Sequence, residues 1–306
     1  MHQTCLNFTA IGLGAMASQP AVLVTLDGQF HDPAVPLLHA DDLAAVRGDG
    51  IFETLLVRDG RPCLLEAHLA RLGQSAAMTD LPEPDLPAWR AAVTAGARRW
   101  AAEHPDDGVL RLVYSRGREG GGPPTAFATI GPVADRVAAV RRAGVAAVTL
   151  DRGLPANAAE LPWLLAGAKT LSYAVNMAAL RHAERRGAGD VIFLSSDGFV
   201  LEGPRSTVVI ASVENDRPVL LTPPPWYPIL RGTTSQALFE VARNNGYDCD
   251  FRALQLADLH AAQGVWLVSS ITLAARVHTL DGQALPKAAL AAEMAALVDA
   301  AIISDR

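Results

Sequence analysis

Four places in this chain carry residue types that could do chemistry together if the fold brings them into one cleft. Lys169, in Ala166-Gly167-Ala168-Lys169-Thr170-Leu171-Ser172-Tyr173, is one of very few lysines in a chain that otherwise uses arginine. The residues before it, Trp163-Leu164-Leu165, are apolar rather than charged. An amine held there is partly desolvated, which lowers its pKa and frees its lone pair as a nucleophile or base. The plain alternative is a snorkelling lysine beside a helix start. Glu202 lies 33 residues further on, in Leu201-Glu202-Gly203-Pro204-Arg205-Ser206-Thr207, and alone reads equally well as an ordinary strand-end glutamate. Arg71 offers a permanent cation whose fork of donors suits phosphate oxygens; a solvated helix arginine is the competing reading. Gly232-Thr233-Thr234 opens a predicted helix, where free backbone N–H groups and the helix dipole favour an anion, although a simple threonine cap would use the same residues.

These residues belong to an ordered series of motifs. Gly48-Asp49-Gly50-Ile51-Phe52-Glu53-Thr54 comes first, then His68-Leu69-Ala70-Arg71-Leu72, the Lys169 run, and Asp190 to Thr207 with Glu202 inside it. Leu230-Arg231-Gly232-Thr233-Thr234 and Ser269-Ser270-Ile271-Thr272 follow. In this order, over roughly Val22 to Asp281, they resemble the fold-type IV pyridoxal-phosphate enzymes, the class-IV aminotransferase family. That family comprises branched-chain aminotransferases, D-amino acid aminotransferases and 4-amino-4-deoxychorismate lyases. The resemblance implies pyridoxal 5′-phosphate as cofactor, with Lys169 holding its aldehyde and later moving a proton at the carbon that bears the nitrogen. It implies that Glu202 keeps the ring nitrogen protonated and that Arg71, Thr233, Thr234 and Ser270 hold the phosphate. Tyr173 is expected as a hydrogen-bond partner of the phenolic oxygen.

The substrate side separates the branches of the family. Tyr114-Ser115-Arg116-Gly117 resembles the lyases and D-amino acid aminotransferases, in which this arginine, here Arg116, faces a substrate carboxylate. Phe52 and Thr272 are expected on the same side. Arg47 stands where an aromatic is common; with Arg116 it would suit a substrate bearing two carboxylates, and otherwise it is a surface charge paired with Asp41 or Asp42. Branched-chain enzymes use N-terminal tyrosines, and this chain has none before Tyr114. Two departures concern the substrate: Thr207 where asparagine is usual, and Gly120-Gly121-Gly122-Pro123-Pro124 where lyases often have Arg-Gly-Tyr. The resemblance therefore implies a 4-amino-4-deoxychorismate lyase giving 4-aminobenzoate and pyruvate, or alternatively an aminotransferase for D-amino acids, less so for branched-chain substrates. A cofactor-free binding protein on the same fold is the rival from another class. A homodimer is implied by the family alone.

The remaining properties bound this reading. The 306 residues are half apolar, enough for a sizeable core. A net charge of −6 gives no electrostatic case for nucleic acid. Cys5, Cys63 and Cys249 are too few and scattered for a disulfide framework or zinc site, which fits a cytoplasmic protein. Leu6 to Leu26 lacks a basic start and is interrupted by Gln19, Pro20 and Thr25, so neither a signal peptide nor a membrane span is expected. The first twenty residues are expected to be loose.

Hydrophobic patterning predicts strands at 22–26, 51–57, 110–115 and 125–133, helices at 65–78 and 88–104, and a hairpin at Arg58-Asp59-Gly60-Arg61. Gly117 to Pro124 reads as a loop that either shapes a site or is plain surface. Asp135 to Gly144, polar and basic, reads as a linker. Beyond it strands at 145–150, 191–194, 207–211 and 265–269 alternate with helices at 171–186, 232–245 and 288–303. The expected fold is mixed α/β (α+β) in two domains: residues 1–133, a linker at 134–144, and residues 145–306, with the cofactor between them. Sheet order does not follow from the sequence.

Overall fold

The first half of the chain folds into one antiparallel sheet covered by two helices. In the computed structural model, residues 20–288 and 290–303 are described; the expectation for the N-terminal segment falls almost wholly outside them. Strands β1 (Val22–Thr25) and β2 (Phe30–His31) precede a short helix α1 (Leu43–Arg47), then β3 (Gly50–Arg58) and β4 (Arg61–Pro62). Helices α2 (Leu65–Met78) and α3 (Leu86–Glu103) lead to β5 (Gly108–Ser115) and β6 (Thr125–Pro132). The strands run in the order β2-β1-β6-β5-β3-β4. The hairpin forms as expected: Val57 pairs with Pro62 and Arg58 with Arg61, and Asp59 and Gly60 take φ of 53° and 71°, the left-handed pair that a two-residue primed turn requires.

Side-chain periodicity explains the covering. Helix α3 buries Trp89, Ala92, Val93, Gly96, Ala97 and Trp100, one stripe at three- and four-residue spacing. Helix α2 buries His68, Leu69, Arg71, Leu72, Ser75 and Ala76. Its leucines join Ile51, Leu55, Val57, Leu110 and Leu112 in the core, while its three polar residues lie along one edge of the same stripe. That edge becomes part of the site.

Residues 134–144, expected as a linker, are largely helical: α4 (Asp135–Ala143) ends at Gly144. The polar composition hid a short apolar stripe in which Val137 is buried and Val140 packs on the neighbouring core. Arg141 then ties this helix across to the Ile271 carbonyl. Next come β7 (Val145–Asp151), two 3₁₀ turns (Ala158–Glu160 and Pro162–Leu164), α5 (Ala174–Arg185) and β8 (Asp190–Leu194). Then follow β9 (Glu202–Gly203), β10 (Ser206–Glu214), β11 (Arg217–Thr222), α6 (Thr233–Asn244), β12 (Asp248–Phe251) and α7 (Leu256–Ala261). The chain closes with β13 (Gly264–Ser269), β14 (Leu273–Leu280), β15 (Gln283–Ala284) and α8 (Ala291–Ile302). The second sheet has the order β12-β11-β10-β13-β14-β7-β8, with β9 on β10 and β15 on β14. Its β11–β12, β14–β7 and β7–β8 pairs are parallel and the rest antiparallel.

The two sheets share apolar packing. Leu56, Cys63 and Leu64 from the first half cluster with Val209, Leu238, Phe239, Trp266 and Met294 from the second. They also meet through backbone. Helix α5 starts at Ala174 rather than at the expected Leu171, because the residues before it form an edge against β3. Phe52 N–H donates to the Lys169 carbonyl at 3.0 Å, and Leu171 N–H to the Gly50 carbonyl at 2.8 Å. Glycine is needed at this seam: a Cβ on Gly50 would stand 2.7 Å from both Leu171 Cδ1 and the Tyr114 carbonyl.

Candidate active site

Lys169 is fixed by its backbone before its side chain is considered. Its N–H donates to Ser75 Oγ of α2 at 3.1 Å, and its carbonyl accepts from Phe52. The amine then lies 4.3 Å from the centre of the Phe52 ring and 5.6 Å from that of Tyr173, and the two rings meet edge to face at 5.3 Å. The residue as a whole is half-exposed to the cleft, but its amine is enclosed by protein. This enclosure, with the charge of Arg71 second, pushes the amine down to about 8. A snorkelling lysine would carry its amine out to bulk water, whereas this amine lies over the Phe52 and Tyr173 rings.

Glu202 begins β9, where it pairs with Thr207 of β10. Its Oε2 accepts the Leu230 N–H at 3.0 Å, and burial pushes the carboxyl up to about 7, opposed by that hydrogen bond and by Lys169. Thr207 lies beside the head of α6, since a Cβ on Gly232 would meet Thr207 Oγ1 at 2.3 Å. The departure at Thr207 thus falls between the carboxyl and the predicted phosphate turn.

Gly232 is the N-cap of α6. The threonines do not cap the helix with their side chains. Thr233 Oγ1 instead lies 3.1 Å from His68 Nε2, and Thr234 Oγ1 lies 3.3 Å from Ser270 Oγ. Arg71 is buried, not solvated. It donates from Nε and Nη2 to the two oxygens of Glu53 at 2.8 and 2.7 Å, and from Nη1 to the Arg231 carbonyl at 2.9 Å. A guanidinium has five N–H groups, so two remain for another acceptor. Glu53 accepts from His68 Nδ1 as well, at 2.7 Å, and these two cationic or donor partners hold its carboxyl far below the usual range despite complete burial. One cluster therefore contains a guanidinium with spare donors, three hydroxyls and a helix N-terminus. That donor set fits a phosphate.

Tyr173 stands beside the amine, but its hydroxyl donates to the Pro204 carbonyl, which also accepts from Asn176 Nδ2 at 2.7 Å. Burial pushes the phenol up to about 12. Thr272 bonds Ser269 Oγ at 2.6 Å and so braces the turn that carries Ser270.

A cavity of about 360 Å³ runs along Gly48 to Gly50 and reaches Thr170, next to Lys169; Arg47, Arg116 and Trp163 also line it. Neither arginine is free. Arg116 bonds Asp49 through Nε and Nη2 at 2.7 and 3.2 Å, and donates to the Asp80 and Thr79 carbonyls. Arg47 is exposed and pairs with Glu119 at 2.6 Å, not with Asp41 or Asp42. Asp41 is taken by Arg118, and Asp42 is buried against Ser115 and Thr125.

Sequence reasoning missed Glu53, His68 and Ser75. Each had a signal. Alternation along β3 puts Glu53 on the face of Ile51, Leu55 and Val57, where an unpaired carboxylate is costly. His68 and Ser75 lie three before and four after Arg71, on the same side of α2.

With this geometry in view, comparison with known proteins is direct. The sequence model of the class IV amino-transferases matches residues 50–280, and the chain belongs to that family; its two sheets are those of the fold-type IV enzymes. A Mycobacterium tuberculosis protein named bifunctional aminodeoxychorismate lyase / D-amino acid transaminase is 69% identical over 290 residues, 93% of this chain and 100% of the relative. A solved structure called a hypothetical aminotransferase from Mycobacterium tuberculosis, PLP-bound form, is 70% identical with a TM-score of 0.91, covering 94% of this chain and 100% of that one. The fold IV-transaminase CpuTA1 from Curtobacterium pusillum is 41% identical with a TM-score of 0.86, covering 93% of this chain and 99% of that one.

Proposed function

We propose that this protein is a pyridoxal-phosphate-dependent 4-amino-4-deoxychorismate lyase that yields 4-aminobenzoate and pyruvate. The observation that supports the cofactor is the proximity of Lys169 to Glu202 and to Arg71, whose guanidinium bonds the Arg231 carbonyl just ahead of the Thr233, Thr234 and Ser270 hydroxyls. The reaction is favoured by the 69% identical relative and its name. Pyridoxal phosphate, when bound, supplies an electron sink for charge released at the carbon bearing the substrate nitrogen.

The protein's own residues do the rest. Arg71, with its two spare N–H groups, the three hydroxyls and the α6 N-terminus would hold the phosphate. Glu202 would accept a hydrogen bond from the ring nitrogen and hold the proton there. Lys169, with its amine lowered to about 8, has a neutral fraction far above that of an ordinary lysine and can take the proton from the substrate ring carbon that carries nitrogen. Loss of the enolpyruvyl group as pyruvate then leaves an aromatic ring, which makes the step irreversible. Phe52 walls the amine from water. Arg47 and Arg116 line the cavity from two sides, and two carboxylates on a substrate would draw on both once Glu119 and Asp49 yield. We read the working unit as a cytoplasmic homodimer: Trp163, Leu164, Val175 and Met177 are exposed around the Lys169 segment, a setting suited to a second copy.

A second reading, aminotransfer from D-amino acids in the same site, is favoured by the bifunctional name of that relative. The assay that separates them supplies aminodeoxychorismate without any keto acid and follows 4-aminobenzoate over many turnovers. Sustained turnover is expected. Its absence, beside steady D-alanine and 2-oxoglutarate turnover, would hand the site to the aminotransferase alone.

A further inference from the structure

Behind the cradle's hydroxyls stands a histidine that the proposed reaction does not use. His68 is buried, with Nδ1 2.7 Å from Glu53 Oε2 and Nε2 3.1 Å from Thr233 Oγ1 and 3.2 Å from Ser270 Oγ. The charged groups that face it are Glu53 from β3, Arg71 from its own helix, with Nη2 3.5 Å from Nδ1, and Lys169. A carboxylate only accepts hydrogen bonds, and Arg71 keeps Glu53 ionised, so Nδ1 carries a hydrogen and donates it to Glu53. The ring's one open choice is Nε2. If Nε2 is bare, one hydroxyl must give it its only proton, and that proton points into the protein. If Nε2 is protonated, it donates to a hydroxyl oxygen, and both Thr233 and Ser270 keep their protons for an anion in the cleft.

We propose that His68 positions the phosphate-binding hydroxyls by taking up a proton at Nε2 when a phosphate dianion enters, turning Thr233 and Ser270 to donate to it. The inference rests on the reading of this cluster as a phosphate site. Without an anion, burial holds the imidazole below its ordinary value, helped by Arg71 and Lys169 and opposed by Glu53. The ring is then neutral at pH 7. A dianion beside the hydroxyls raises it by adding negative charge at short range. One proton moves from solvent to Nε2 for each dianion bound, so affinity for the dianion rises as pH falls toward the empty-site value. Below about pH 6 the phosphate itself begins to take the proton and the gain ends.

Pyridoxine 5′-phosphate is the probe, because it has no aldehyde to react with Lys169. Calorimetric titration into the cofactor-free full chain, in two buffers of different ionisation heat at pH 7.5, counts protons taken up. Wild type should take up about one more proton than His68→Gln, with any contribution from Glu202 or Lys169 cancelling in the difference. The variant should bind roughly tenfold more weakly, the scale of one misdirected hydrogen bond. Unphosphorylated pyridoxine should show no such difference. Equal proton uptake by both proteins, with binding intact, overturns the role of His68 and leaves the phosphate site standing. Failure of wild type to bind the probe at all contradicts the phosphate site and this proposal with it. Should His68→Gln not fold, wild type labelled with ¹⁵N in histidine decides alone. On saturation one Nε2 resonance should move from the unprotonated to the protonated region, and no movement overturns the proposal.

Discussion

The two ends of the cleft are built on opposite principles. At the end proposed to bind phosphate the ion pair is buried and answered: Glu53 receives both Arg71 and His68, and Arg71 also donates to the Arg231 carbonyl. At the mouth the charges are paired but open to water: Arg47 with Glu119, Arg118 with Asp41, Arg116 with Asp49. Buried pairs stay in place because removing one partner strands the other, whereas exposed pairs exchange with water at little cost. The end proposed to hold the cofactor phosphate is thus locked by buried pairs, and the end proposed to meet substrate carries exposed ion pairs that a substrate carboxylate could replace. Specificity in this molecule is therefore to be sought at the mouth, and cofactor retention at the buried end.

The largest effect should come from the buried end. Glu53→Gln leaves Arg71 and His68 without their carboxylate and should destabilise the protein by about 3–5 kcal/mol, read by urea denaturation of the cofactor-free protein. Glu119→Gln at the mouth should leave the denaturation midpoint unchanged. A similar loss in both would erase the distinction.

Next in size is Glu202→Gln. Phosphate contacts survive this change, so the cofactor should stay bound while turnover falls by about a hundredfold or more, the scale of losing a charge-stabilising group in a closed site. Near-normal turnover would mean that Glu202 has been assigned the wrong task.

Arg116→Lys should act on substrate alone. A lysine cannot reproduce the two-pronged grip on a carboxylate, so KM should rise about tenfold with the cofactor spectrum unchanged. Loss of cofactor would show that the mouth is not independent of the buried end.

The smallest effect is on pH. Glu202 has its folded-state pKa raised from 4.5 to about 7, so the folded protein binds more protons than the unfolded chain between those values. Its contribution to stability is present at low pH and is lost as pH rises through about 7. Glu53 is depressed and acts oppositely, its contribution being lost as pH falls below the usual carboxylate range. Thermal midpoints of cofactor-free Glu202→Gln should therefore decline less than wild type between pH 5 and pH 7.5. A parallel decline would contradict the raised value.

Much of this arrangement was legible in sequence because local rules dominate it. The Asp59-Gly60 turn, the period of α2 and the glycine that opens α6 each needed only neighbours within a few residues. Strands β12 and β14 were missed because their parallel partners, β11 and β7, lie far along the chain, and the two-residue β9 and β15 because hairpins that short leave no alternating run to read. Helix α4 was not foreseen for a related reason: a polar segment became a helix through Val140, which packs on a core that includes Ala275, Val277 and Leu280 of the distant β14. In the site, Lys169 and Arg71 stood out by residue type and setting. Glu53 and His68 carried only weaker signals, strand alternation and helical spacing from Arg71, and their joint role follows from the guanidinium they meet in three dimensions.

Whether Lys169 holds pyridoxal phosphate is decided by one measurement. The purified protein, incubated with pyridoxal phosphate, is reduced with borohydride, digested and mapped by mass spectrometry, with its visible spectrum recorded beforehand. A yellow protein is expected, its visible band lost on reduction, with one cofactor fixed on the peptide carrying Lys169. A protein that stays colourless with excess cofactor, or a label on Lys287 and none on Lys169, would contradict that expectation.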